Sequence, residues 1–164
     1  MSDAALRAEH LAAKAHAAQR DKGGKPYIGH LERVAQAAEQ RALRALADGL
    51  DIEPDEVAQA GWLHDIIEDT PITATDLRAQ GFSERVVEMV EILTRPQQAM
   101  AYPARIQQII ATGNLGAILI KLSDVEDNAS PFRVVPGQPQ HANRYVAEIP
   151  QLKQAAAVLG YTGS

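Results

Sequence analysis

Apolar residues along this chain recur at three- and four-residue intervals, and the periodic runs are separated by glycine and proline, a pattern of short helices joined by turns. An Ala-rich run from Ser2 to Gln19 predicts a first helix, with Ser2 as its cap and Leu6, Ala13 and Ala17 along one side. Asp21-Lys22-Gly23-Gly24-Lys25-Pro26 breaks it. Helical spacing resumes from Tyr27 to Ala47 through Leu31, Val34, Ala35, Ala38, Ala42 and Leu46, and Gly49 stops it. Pro54, followed by Asp55 and Glu56, suits the first turn of a helix that runs on to Thr70-Pro71. Thr73 and Asp76 form a capping-box signature for a short helix ending at Gly81, and Ser83 can cap the next, which runs to about Thr94. Pro103 starts another that ends at Gly113.

Two stretches are less direct. The apolar run within Leu115 to Leu122 would suit a buried strand, but Leu115, Ile118, Leu119, Leu122 and Val125 share one helical arc while Lys121, Asp124 and Asn128 share another, so helix is the better reading. Ser130 to Gln140, with three prolines and a glycine, predicts a long irregular loop, either a lid or a connector. His141 to Leu159 reads as a last helical region interrupted at Pro150.

These elements predict an all-α fold, and 164 residues make one comfortable domain spanning 1–164. The 46% hydrophobic content with only 4% aromatics favours helices packed through small side chains. A formal net charge of −5 argues against a nucleic-acid or anionic-membrane binder. No apolar run approaches the ~20 residues of a membrane span, and the first residues lack the apolar segment of a signal peptide, so a cytoplasmic protein is expected. Zero cysteines leave histidines and carboxylates as the means of holding a metal.

The chemistry gathers in Gly61-Trp62-Leu63-His64-Asp65-Ile66-Ile67-Glu68-Asp69-Thr70. Wound as a helix, it places Ala60, Leu63, Ile66 and Ile67 on one arc and His64, Asp65, Glu68 and Asp69 on the next, with no basic residue to offset the acids. A bound cation would relieve that repulsion. His30, His64, Asp65 and Asp124, from three predicted helices, together offer two imidazoles and two carboxylates, a set suited to Mn²⁺, Fe²⁺, Co²⁺ or Zn²⁺ better than to Mg²⁺. Neighbours in a helix do not normally face each other, so His64 and Asp65 can share an ion only if it lies between their directions. His10, His16 and His141 read as surface or core histidines, and Tyr27 as packing. Arg20, Lys22 and Lys25 surround the first glycine turn, where they serve either solubility or phosphate.

Three blocks in order, Gly24-Lys25-Pro26-Tyr27-Ile28-Gly29-His30, Trp62 to Thr70, and Ile120-Lys121-Leu122-Ser123-Asp124-Val125-Glu126-Asp127-Asn128, resemble the HD superfamily of phosphohydrolases. They are most similar to the hydrolase domain of RelA/SpoT-type proteins and to small stand-alone alarmone hydrolases. The resemblance implies an all-helical fold, a Mn²⁺ site on His30, His64, Asp65 and Asp124, and removal of pyrophosphate from the 3′ position of (p)ppGpp. It implies that Glu68 and Asp69 orient or activate the attacking water and that Lys121 and Asn128 help to hold phosphate or ligand. Arg20, Lys22 and Lys25 become candidate phosphate contacts, and Arg144 and Tyr145 match a region lining the nucleotide pocket. The chain departs from the family where Asp21 separates Arg20 from Lys22, and where Val125, Glu126 and Asp127 follow the metal aspartate. The competing readings are a general nucleotide phosphatase of another HD type and a module that senses a nucleotide without turnover.

Overall fold

A computed structural model describes residues 1–130 and 145–164; the predicted loop beyond Ser130, together with His141 and Arg144, lies outside the described residues. Among the described residues every regular element is a helix, and the one β-type pairing is an isolated bridge between Arg20 and Pro26. The helices are α1 (Asp3–Ala15), α2 (Ile28–Ala47), α3 (Pro54–Leu63), α4 (Ile66–Asp69), α5 (Ala74–Ala79), α6 (Glu84–Leu93), α7 (Tyr102–Ala111), α8 (Leu115–Ala129) and α9 (Ile149–Val158).

Local signals set most of the boundaries. Ser2 caps α1, Ser83 caps α6, and Thr73 and Asp76 make the reciprocal capping box of α5. The side chain of Asn114 caps α8, a cap the hydrophobic pattern does not announce. Pro54, Pro103 and Pro150 all fall in first turns, where their missing N–H costs nothing. Pro150 therefore begins α9 rather than kinking a longer helix.

The core is built around α8, in which Ala117 to Ile120 and Leu122 to Val125 are buried on nearly all sides, and this is why its apolar run resembles a strand. Helix α2 packs on both α3 and α8, and α1 covers α3. Small side chains set these distances. A Cβ on Gly61 would lie 2.8 Å from the Cα of Ala35, so α2 and α3 touch backbone to backbone there. Helix α1 turns Ala5, Ala8 and Ala12 inward and leaves Leu6 and Ala13 exposed, as is Ala17 beyond its end, opposite to the expected phase. Leu46, expected in the core, is also exposed, and the inward position belongs to Ala45. In both helices the buried face is the alanine face and the larger side chains lie outside. The first helix ends at Ala15, short of the expected Gln19, with the Gln19 side chain hydrogen-bonded to His16 at 2.7 Å.

Candidate metal centre

The predicted long helix from Pro54 to Asp69 is interrupted at His64-Asp65, between α3 and α4. In an unbroken helix adjacent side chains diverge by about 100°. Here Asp65 takes φ −101° and ψ 0°, and the bend brings its Oδ2 to 3.2 Å from His64 Nε2. The two neighbours thus address one point. His64 donates from Nδ1 to the Gly61 carbonyl at 2.7 Å, which turns Nε2 toward that point, where it is buried without a hydrogen-bond partner.

The other two predicted ligands reach the same place. His30, in the first turn of α2, sets Nε2 at 3.1 Å from Asp124 Oδ1 and 4.0 Å from Asp65 Oδ2. Asp124 Oδ1 lies 3.5 Å from His64 Nε2. Ligand atoms of His30, His64 and Asp65 fall within 4.8 Å of one another, and Asp124 stands beside both imidazoles. This mixed nitrogen and oxygen set, with an unsatisfied buried imidazole nitrogen aimed into it, fits a divalent cation.

Electrostatics act on Asp124, Asp65 and His64. Burial pushes the Asp124 carboxyl up, but Lys121, donating to Oδ2 at 2.8 Å, and the two imidazoles hold it well below the usual range. Burial likewise raises Asp65, and His64 outweighs it, so this carboxyl too is held down. His64 is pushed down by burial and raised further by Asp65 and Asp124, so its net shift is upward. Tyr27 is not mere packing. Its hydroxyl donates to Asp65 Oδ2 at 2.5 Å, and burial followed by the Asp65 charge keeps the phenol protonated.

Beside the cluster opens a cavity of about 110 Å³ lined by His64, Asp65, Glu68, Arg95, Arg105 and Lys121, among others. Glu68 faces it while accepting from the Arg95 backbone N–H at 2.7 Å. Asp69 instead accepts from Gln19 at 3.1 Å and does not line this cavity. Lys121 lines it; Asn128 donates to Asp124 Oδ1 at 3.2 Å and so steadies the carboxylate. Tyr145 stacks edge-on against Tyr102, a cavity residue, with ring centres 5.8 Å apart. Arg20, Lys22 and Lys25 are exposed on the loop before α2, apart from the cavity lining. The sequence pattern missed Arg95 and Arg105. Arg105 carries no local signal, and its buried guanidinium holds the carbonyls of Ile92 and Thr94, at the turn that brings Arg95 to the site.

The departures from the family pattern point away from the cavity. Asp21 accepts from the N–H groups of Gly23 and Lys25, both at 2.9 Å, and so ties its own loop. Val125 is core, Glu126 pairs with Arg41, and Asp127 pairs with Arg33 and His30. A larger groove of about 920 Å³ runs along Arg33, Arg41 and Arg44 and holds none of the four predicted ligands. Those arginines are already paired with Asp127, Glu126 and Asp48. No helix among the described residues is long and apolar enough to cross a membrane.

Known proteins resemble the chain over the same segment. Residues 8–128 match the family model described as HD domain. The guanosine-3′,5′-bis(diphosphate) 3′-pyrophosphohydrolase of Vibrio cholerae is 34% identical over 134 residues, covering 76% of this chain and 17% of that protein. The bifunctional (p)ppGpp synthase/hydrolase SpoT of Escherichia coli K12 is 33% identical over 132 residues, covering 75% and 17%. The chain thus spans about a sixth of the length of these relatives. A solved structure described as a metazoan ortholog of SpoT that hydrolyzes ppGpp superposes with a TM-score of 0.63 at 22% identity, covering 97% of this chain and 94% of that one. That likeness establishes the shared all-helical fold.

Proposed function

The chain belongs to the HD-domain family, and on that premise we propose that it is a Mn²⁺-dependent phosphohydrolase that removes pyrophosphate from the 3′ position of (p)ppGpp. The observation that carries this reading is the meeting of His30, His64, Asp65 and Asp124 at one point, beside a cavity that holds Glu68 and the cations Lys121, Arg95 and Arg105. The reaction adds water across the bond between the 3′ oxygen and its phosphorus; that oxygen leaves as a hydroxyl and pyrophosphate is released.

A divalent cation held by the four side chains supplies Lewis acidity toward water and toward a phosphate oxygen. Glu68 takes the proton of the attacking water, since it faces the cavity one turn beyond His64 and is oriented by the Arg95 N–H. Asp69 has a supporting place, fixing the Gln19 end of the first loop. Lys121 offsets charge on the phosphate oxygens; burial alone would lower its pKa, but Asp124 raises it, so the ammonium is retained at any working pH. Tyr145 borders the nucleoside, a role its ring contact with the cavity residue Tyr102 supports. The family relatives named for this activity support the substrate, and Asp21, Glu126 and Asp127 are engaged with their own loop, Arg41 and Arg33, outside the cavity lining, so they do not oppose a polyphosphate there. A cytoplasmic location goes with a nucleotide substrate.

The test is turnover of ppGpp beside guanosine monophosphates, with and without Mn²⁺. Pyrophosphate release from ppGpp only with the metal supports the reading. Inert ppGpp with rapid phosphate release from a monophosphate would assign the protein to nucleotidases instead, and binding of ppGpp without any cleavage would make it a sensor.

A further inference from the structure

His30 is held from behind. Its Nδ1 lies 2.7 Å from Asp127 Oδ2, and Asp127 is gripped by Arg33, whose Nε donates to Oδ1 at 2.6 Å and whose terminal nitrogen donates to Oδ2 at 3.2 Å. Arg33 stands one turn after His30 on α2, and Asp127 one turn after Asp124 on α8. Each helix therefore supplies a predicted ligand and, one turn on, half of a support for His30. The imidazole is 1% exposed, so no water competes for Nδ1.

We propose that Asp127, clamped by Arg33, is a positioning residue for the metal centre: it fixes His30 as the tautomer with its proton on Nδ1, leaving the Nε2 lone pair aimed at the cation. A carboxylate held by a guanidinium accepts and cannot donate, so the proton of this hydrogen bond belongs to His30. An outer carboxylate on a metal-binding imidazole fixes ring orientation and raises its basicity, and losing such a partner typically weakens metal binding by about 10- to 100-fold. His64 receives the equivalent service from the Gly61 carbonyl, a neutral acceptor. The two imidazoles are thus supported unequally, with His30 the stronger donor. The residue that departs from the family pattern after the metal aspartate acquires a role in the site without entering the cavity.

The inference rests on the metal site proposed above, and its readouts need no substrate. Asp127→Ala, Asp127→Asn and Arg33→Gln would be compared with the parent by Mn²⁺ titration calorimetry, by thermal melting, and by ¹⁵N NMR of His30 in the protein loaded with diamagnetic Zn²⁺, since without a cation Asp124 Oδ1, 3.1 Å from Nε2, competes for the ring proton. We expect a protonated Nδ1, shifted by a strong hydrogen bond, in the parent. In Asp127→Ala that hydrogen-bond signature is lost, and Mn²⁺ affinity falls about 10- to 100-fold. Arg33→Gln should show a smaller loss in the same direction, which also keeps the test open if Asp127→Ala does not fold. Folded variants whose His30 Nδ1 signature is unchanged and whose Mn²⁺ affinity is within twofold of the parent would overturn the assignment. If the parent binds Mn²⁺ and responds in this way but does not cleave ppGpp, the positioning role stands and the substrate reading falls.

Discussion

Replacing Gly61 with alanine is a small change that should be expensive. Gly61 lies inside α3, where an alanine would ordinarily gain about 1 kcal/mol of helix propensity. Its new Cβ, however, would sit 2.8 Å from the Ala35 Cα and 3.3 Å from the Ala35 Cβ. The opposing atom is backbone, so no rotamer change relieves the overlap and α2 must separate from α3. Overpacking a core costs typically about 1–3 kcal/mol, and a rigid neighbour places this site in the upper part of that range. The net loss is then about 1–2 kcal/mol, or a fall in Tm of roughly 2–8 °C for a domain of this size. The separation also matters for chemistry, because α2 carries His30, while the Gly61 carbonyl orients His64. Thermal melting of the metal-free protein, with Mn²⁺ calorimetry beside it, should show lower Tm and weaker binding together. Gly116→Ala is a milder control, since its new Cβ would meet chiefly the flexible Met89 side chain. A Gly61→Ala protein with Tm at or above the parent and unchanged Mn²⁺ affinity would refute the argument that this contact sets the site.

Glu68→Gln should leave Mn²⁺ binding near the parent value and lower turnover about 10²-fold or more, read from steady-state kinetics; normal turnover would remove Glu68 from the mechanism. Lys121→Met removes a cavity cation and the partner of Asp124, and should raise KM for ppGpp while lowering kcat. Metal and pH are linked in a definite sense. The raised pKa of His64 gives the metal-free protein stability that is full below about 6.5 and is lost as pH climbs through the folded value, whereas the lowered Asp65 and Asp124 give stability that is present above about 3.8 and lost on acidification. Because a bound cation displaces the His64 proton, the gain in Tm on adding excess Mn²⁺ should be larger at pH 8 than at pH 6. Melting curves showing an equal or smaller gain at pH 8 would contradict the assignment of His64.

The helical fold and most helix starts were legible because they depend on local chemistry: Ser2, Ser83 and the Thr73–Asp76 box cap as expected, and prolines mark first turns. What periodicity could not supply was the identity of the inward face in α1 and late α2. Leu6 and Leu46 are better hydrophobes than Ala5 and Ala45, yet the alanines are the buried ones. The four side chains that meet at the site were legible as a set, whereas the break that lets His64 and Asp65 share a target was not, since the sequence there reads as continuous helix. Tyr27 and Asp127 were passed over because their roles come from partners 38 and 97 positions distant, Asp65 and His30. Arg95 reaches the cavity through a turn held by Arg105, a tertiary relation with no local signature.

Anomalous diffraction at the manganese edge, on crystals grown with Mn²⁺ and cross-checked by elemental analysis of the protein in solution, tests the metal centre most directly. The account predicts one strong peak at bonding distance from His30 Nε2, His64 Nε2 and carboxylate oxygens of Asp65 and Asp124, with the Asp65→Ala protein losing it. A metal-free protein in excess Mn²⁺, or a peak away from these four side chains, would contradict it.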